Sequence, residues 1–78
     1  MIGEEGLRPF LYGKDVLKAS VRDCRPPLVK EYVVAVVGED GFVYGIGISA
    51  LDSCDELKGL KRTDVVAWNV FDVGWYLR

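Results

Sequence analysis

The chain has 78 residues, half of them apolar, with 10 basic and 12 acidic side chains and a formal charge of −2. That apolar mass suffices for one small core and one domain, and a chain 28 % charged with long apolar runs is not a disordered one. The charge disfavours avid sequence-blind nucleic-acid binding, no apolar run approaches the roughly 18 residues of a membrane helix, and no secretion-signal order of residues opens the chain.

Residues 1–9 (MIGEEGLRP) read as a flexible leader, because two glycines and two glutamates start neither strand nor helix well. Phe10-Leu11-Tyr12 reads as a short first strand broken by Gly13. Lys14 to Ser20 fits about two helical turns, with Val16, Leu17 and Ala19 inward and Lys14, Asp15 and Lys18 outward, although a strand at Val16-Leu17 stays open. Val21 to Cys24 starts an extended piece that Arg25-Pro26-Pro27 stops. Tyr32 to Val37 (YVVAVV) and Phe42 to Ser49 (FVYGIGIS) form a hairpin around Gly38-Glu39-Asp40-Gly41, since Asp-Gly is a strong hairpin signal. In the second strand Phe42, Tyr44, Ile46 and Ile48 share one face, and Val43, Gly45, Gly47 and Ser49 the other. Two glycines on one strand face imply a barrel bend or the close approach of another backbone or a ligand, and the bend is a plainer reading than a ligand platform. Asp52 or Ser53 with Glu56 suggests a capped helical turn ended by Gly59. Val65 to Phe71 is a third strong strand, and Asp72 opens a last turn over residues 73–78. The total is four to six short strands with one short helix near the start: mainly β, a small bent barrel whose closure hides its strand edges.

The chain contains no histidine, which removes Ser-His-Asp and Cys-His nucleophilic sites and HExxH zinc sites together. Cys24 and Cys54 are not in a CxxC pair; they read as two small buried or half-buried thiols, with a disulfide left open. Glutamine is absent and asparagine occurs once, at Asn69, a depletion that thermophilic proteins share. The carboxylates at Asp52, Asp55 and Glu56 and at Glu39 and Asp40 could suit magnesium, but a helix cap and a hairpin turn account for them. No catalytic residue, metal site or cofactor is expected, so the chain reads as a binding module and not an enzyme. Lys14, Lys18 and Arg22 recur every four residues and would share one helical face, with Lys58, Lys61 and Arg62 a second basic group. Either could hold a few phosphates or could be a solvated face. The many aromatics could stack on unpaired bases, but a domain this small needs most of them in its core.

Phe10 to Ser20 (FLYGKDVLKAS) resembles the opening of a PUA domain. More closely, it resembles that domain in the ribosome-biogenesis family called NIP-seven, whose members carry a similar FLYG…VLKS string. Gly45 to Ala50 resembles the glycine-containing strand after the hairpin, and Asp72 to Arg78 (DVGWYLR) the closing D-x-G-x-Y-x-R. The resemblance covers residues 10–78. It implies a PUA-like β-pseudobarrel with a short helix after the first strand. It also implies a non-catalytic RNA-binding role in ribosome biogenesis or rRNA processing. The RNA-facing residues it implies are Gly13, Lys14, Lys18, Ala19 and Arg22, with Arg78 at the end. The implied partners are RNA, ribosomal above all, and ribosome-assembly proteins, with no membrane and no small-molecule substrate. A monomer is expected, in the cytoplasm or, in a eukaryote, the nucleolus. The alternative is a protein-interaction module docking on an assembly factor. Family members carry a separate N-terminal domain and run on beyond the closing arginine.

Overall fold

The computed structural model describes residues 1–26 and 28–76, with backbone alone at residues 75 and 76. Its sheet has four antiparallel strands in the order β1-β4-β3-β2: β1 Val16–Leu17, β2 Val33–Val37, β3 Val43–Ser49 and β4 Val65–Asp72. One α-helix, α1 at Glu4–Phe10, precedes the sheet. 3-10 turns follow β1 at Lys18–Ser20, join β3 to β4 at Cys54–Gly59, and follow β4 at Val73–Tyr76.

The hairpin forms as its sequence directs. Val34 lies opposite Gly47, Ala35 opposite Ile46 and Val36 opposite Gly45. Gly41 at φ 86 turns the chain in a region that side chains resist. Asp40 stiffens the turn by accepting from the Phe42 N–H at 3.0 Å and from the Tyr44 hydroxyl.

In β3 the glycine face is the inner one. A Cβ at Gly45 would stand 2.7 Å from the Phe10 ring and 2.3 Å from the Phe71 carbonyl; one at Gly47 would stand 2.8 Å from the Trp68 carbonyl. The two glycines therefore admit a neighbouring strand and the ring of Phe10. Ile46, on the opposite face, is left exposed. Around Phe10, which has no solvent contact, the core gathers Ile2, Val16, Val36, Leu51, Val66 and Ala67.

The N-terminal stretch departs from expectation. The expected leader is ordered: Ile2 is buried and bridges Val21 on one side and Gly38 on the other, and residues 4–10 are helical. Glu4 and Glu5 occupy the helix's first turn and Arg8 its last, favourable to the helix dipole. Gly6, which weakens a helix locally, lets α1 approach the Lys18–Ser20 turn: a Cβ there would lie 2.2 Å from that of Ser20. Phe10-Leu11-Tyr12 is thus a helix end, not a strand, because Phe10 turns into the core. The helix expected over Lys14 to Ser20 is instead β1 and a short 3-10 turn, since Val16 and Leu17 pair with Ala67 and Val65. A short helical turn does follow the first strand, a few residues later than expected.

Two local expectations about residues 52–59 resolve differently. Ser53 and Glu56 form a reciprocal cap, and the Glu56 carboxylate also accepts from the Asp52 N–H. The cysteines are not free thiols: Cys24 and Cys54 are joined in a disulfide that ties the chain before Pro26 to the 3-10 turn at 54–59. Their separation of 30 residues hid a pairing that folding brings to a Cα–Cα distance of 5.8 Å.

Candidate nucleic-acid interface

The loop between α1 and β1 is a built structure. Gly13 takes φ 92, and its N–H donates to the Phe10 carbonyl at 2.9 Å, closing the helix. Lys14 follows, exposed, with its N–H bonded to the Pro9 carbonyl at 3.1 Å. Asn69 of β4 holds this loop in place. Its side-chain amide donates to the carbonyls of Phe10 at 2.9 Å and Lys14 at 3.2 Å, and to the Asp72 carboxylate at 3.1 Å. The Asn69 backbone N–H donates to Asp15 Oδ1 at 2.8 Å. Asn69 was not among the expected site residues. Its signal was there: the only asparagine in the chain, inside a strand, where asparagine is disfavoured.

Lys18 and Ala19, both half-buried, sit against the turn before β4. The Lys18 N–H donates to the Asp64 carbonyl at 2.9 Å and the Ala19 N–H to the Arg62 carbonyl at 3.0 Å. That turn is itself fixed by the Lys61 N–H on the Asp64 carboxylate at 2.8 Å. The backbone therefore brings Lys18 from the first basic group beside exposed Lys61 and Arg62 of the second.

Arg22 stands apart from them. Its guanidinium donates to both Glu5 carboxylate oxygens, at 2.8 and 2.9 Å, and lies 3.5 Å from Glu39. It covers Gly3, where a Cβ would meet the guanidinium at 2.8 Å. Arg22 thus links α1 to the β2–β3 turn, in a depression that Glu4 also lines. The shared helical face for Lys14, Lys18 and Arg22 does not exist, because the chain is extended at Val16–Leu17. Lys14 lies by Asn69, Lys18 by Arg62, and Arg22 among glutamates. Arg78 lies outside the described residues.

A second surface feature is apolar. In register across the sheet, Val33, Ile48 and Trp68 form one row on the outer face, and Ala35, Ile46 and Phe71 another. Val33 is 66 % exposed, and Ile46, Trp68 and Phe71 are each about 40 % exposed. Contiguous exposed apolar patches, when large, mark contact surfaces. No helix among the described residues is long and apolar enough to cross a membrane.

Comparison with known proteins agrees with this architecture. Among solved structures, a conserved PUA domain protein from Thermoplasma acidophilum superposes over 94 % of this chain and 47 % of its own, with a TM-score of 0.81 at 15 % identity. A hypothetical protein from the hyperthermophilic archaeon Pyrococcus horikoshii superposes over 91 % of this chain and 42 % of its own, with a TM-score of 0.79 at 24 % identity. The 60S ribosome subunit biogenesis protein NIP7 of Saccharomyces cerevisiae is 36 % identical over 77 residues, and its Schizosaccharomyces pombe counterpart 35 %. Each alignment takes in 99 % of this chain, which spans 42 % of the length of these curated relatives. The sequence pattern of the UPF0113 PUA domain matches residues 1–78, including the stretch expected to be a leader. Mainly β, with four antiparallel strands, one short α-helix and similarity to NIP7 proteins over its whole length, the chain belongs to the UPF0113 PUA domain family.

Proposed function

We propose that this domain binds RNA during ribosome assembly or rRNA processing, and that it positions the RNA without performing chemistry on it. The observation that carries this reading is the junction of Lys18 with the Lys61–Asp64 turn, two backbone hydrogen bonds that gather separate basic groups on one surface. Family membership and similarity to two proteins named for 60S subunit biogenesis support it. In this reading Lys14, Lys18, Lys61 and Arg62 contact phosphates, which position the RNA, and any sequence preference comes from contacts to unpaired bases. Gly13 and Ala19 keep side-chain bulk away from the approaching backbone. Arg22 serves mainly as the link from α1 to the hairpin turn, and Arg78 extends the basic surface. The domain works as a monomer beside ribosome-assembly proteins, in the cytoplasm or, in a eukaryote, the nucleolus.

The test is fluorescence anisotropy with a structured ribosomal RNA fragment at several salt concentrations. The expected result is affinity that falls steeply with salt, with a log–log slope of about −0.9 per phosphate contacted in a duplex region. Lys18→Glu with Arg62→Glu should abolish binding, while Arg22→Glu should lower stability more than affinity. Binding indifferent to the first pair overturns this face as the RNA surface.

A second reading, docking on a protein assembly factor, is favoured by the outer apolar rows around Ile46 and Trp68. Trp68→Glu, with RNA affinity unchanged and capture of an assembly protein lost, would identify that surface.

A further inference from the structure

The backbone between α1 and β1 is closed to outside partners. The Leu11 N–H donates to the Leu7 carbonyl at 2.9 Å, Tyr12 to Pro9 at 3.0 Å, Gly13 to Phe10 at 2.9 Å and Lys14 to Pro9 at 3.1 Å. Asn69 fixes the same stretch through the Phe10 and Lys14 carbonyls, two residues to either side of Tyr12. Gly74, buried after β4, backs it: a Cβ there would stand 1.9 Å from the Leu11 carbonyl oxygen. The loop is therefore held from two sides, and its residues 11–14 offer an approaching chain no free amide for strand pairing.

Tyr12 is the side chain that this frame presents. It is 68 % exposed, and among the described residues its hydroxyl makes no hydrogen bond. Packing does not account for it, because Phe10 fills the core and Leu11 packs against that core half-buried. Lys14, also exposed, stands two residues on, and the neighbouring Asp15 carboxylate accepts from the Asn69 N–H at 2.8 Å. On its other side Tyr12 lines the depression along α1, where Glu5 and Glu39 meet Arg22 and Glu4 adds a third carboxylate. Those carboxylates repel phosphate, so a nucleic-acid backbone that meets Tyr12 lies on the Lys14 side.

An exposed ring on a fixed loop, beside a cation and with the backbone donors closed off, suits one class of ligand. A peptide strand needs free amides, and a phosphate by itself needs no ring. A nucleotide with an unpaired base uses both side chains, the base stacking on the ring and the phosphate meeting the ammonium. We propose that Tyr12 is the base platform of this interface: its ring stacks on one unpaired base while Lys14 holds the adjoining phosphate. The role rests on RNA binding by this face. It adds what the cations lack, a preference for unpaired over paired RNA, since a duplex keeps its bases stacked on one another and shows Tyr12 only its grooves and backbone.

The test uses the whole chain and two RNA probes: a hairpin whose unpaired loop carries 2-aminopurine at each position in turn, and a fully paired duplex of the same length. The expected result is quenching of the 2-aminopurine fluorescence at one loop position on binding. Tyr12→Ala should remove that quenching and weaken hairpin binding about tenfold, with duplex binding unchanged. The salt dependence should stay as it was, because the ring carries no charge. Tyr12→Phe should keep the quenching, because the ring stacks and the hydroxyl does not. Both variants should unfold at the same temperature as the unaltered chain, since the side chain lies outside the core. Quenching and hairpin affinity that survive Tyr12→Ala overturn the platform and leave RNA binding standing. Equal losses on hairpin and duplex also overturn it, because stacking needs an unpaired base. Failure of the unaltered chain to bind either probe overturns the RNA reading itself, and the platform with it.

Discussion

At one edge of the sheet, β1 is two residues long, packs against α1, and passes directly into a 3-10 turn. At the other, β2 presents five residues of valine and alanine along a groove that, among the described residues, Ile2 bridges at one end. The first edge is finished with side chains: Phe10 fills the interior behind it, and Asn69 and Asp15 satisfy the backbone around it. The second is finished by one residue, Ile2, through its backbone bridges and its buried side chain. Side-chain closure is specific and costly to disturb, because each group left behind loses a buried partner. Backbone closure is permissive, because any extended chain presents the same donors and acceptors. The candidate RNA surface lies at the first edge, which suits a rigid reading surface.

The largest test of this contrast removes the filling of the closed edge. Phe10→Ala should cost about 3–5 kcal/mol of unfolding free energy in chemical denaturation, since Phe10 is wholly buried and the glycine face of β3 cannot expand to fill the space. A loss below 1 kcal/mol would mean that the edge is not held from within.

Next comes the covalent tie beside the open edge. Cys24→Ser with Cys54→Ser should lower stability by about 2–4 kcal/mol, from the 30-residue loop released in the unfolded chain. The same change should raise hydrogen exchange at Val21 and Leu28 along the groove, leaving Asn69 and Lys14 protected. Loosening at both edges together would dissolve the distinction between them.

Asn69→Ala sharpens the comparison from the other side. It removes the side-chain donor shared by the Lys14 carbonyl, the Asp72 carboxylate and the Phe10 carbonyl, the last keeping the Gly13 N–H, and should cost about 1–3 kcal/mol. RNA affinity should fall as well, because the Gly13–Asp15 loop loses its anchor while every cation is retained. Unchanged affinity would separate this loop from the interface.

The smallest effect is at the hairpin turn, remote from the closed edge. The Tyr44 hydroxyl, then the Phe42 N–H, stabilises the Asp40 carboxylate and holds its pKa below the ordinary carboxylate value. A folded pKa lowered in this way means the turn's contribution is full above the unfolded value and is lost as pH falls through the folded one. Tyr44→Phe should move the Asp40 titration upward in an NMR pH series. A curve that stays in place would assign the shift to the Phe42 N–H alone.

Much of this molecule is legible from local patterns. The hairpin, the long strand β4, the Ser53–Glu56 cap and the FLYG and DVGWYLR strings all lie within a few residues of what determines them, so period, turn chemistry and resemblance suffice. The candidate site was legible only as residue types. The every-four spacing of Lys14, Lys18 and Arg22 would build one face on a helix, but β1 pairs with β4 there and the spacing loses its meaning. Arg22 reads as a free cation until Glu5, 17 residues away, is folded against it.

By itself, then, the sequence determined a small mainly β domain of this family, the hairpin at its centre, and the absence of histidine chemistry. The tertiary structure alone decided that residues 1–10 are a bridge and a helix, that Cys24 meets Cys54, that Asn69 anchors the loop, and which cations stand together. The physical reason is the same in each case. Those outcomes depend on contacts between residues far apart in the chain, where burying Phe10 and Ile2 outweighs local preferences worth about 1 kcal/mol or less per residue.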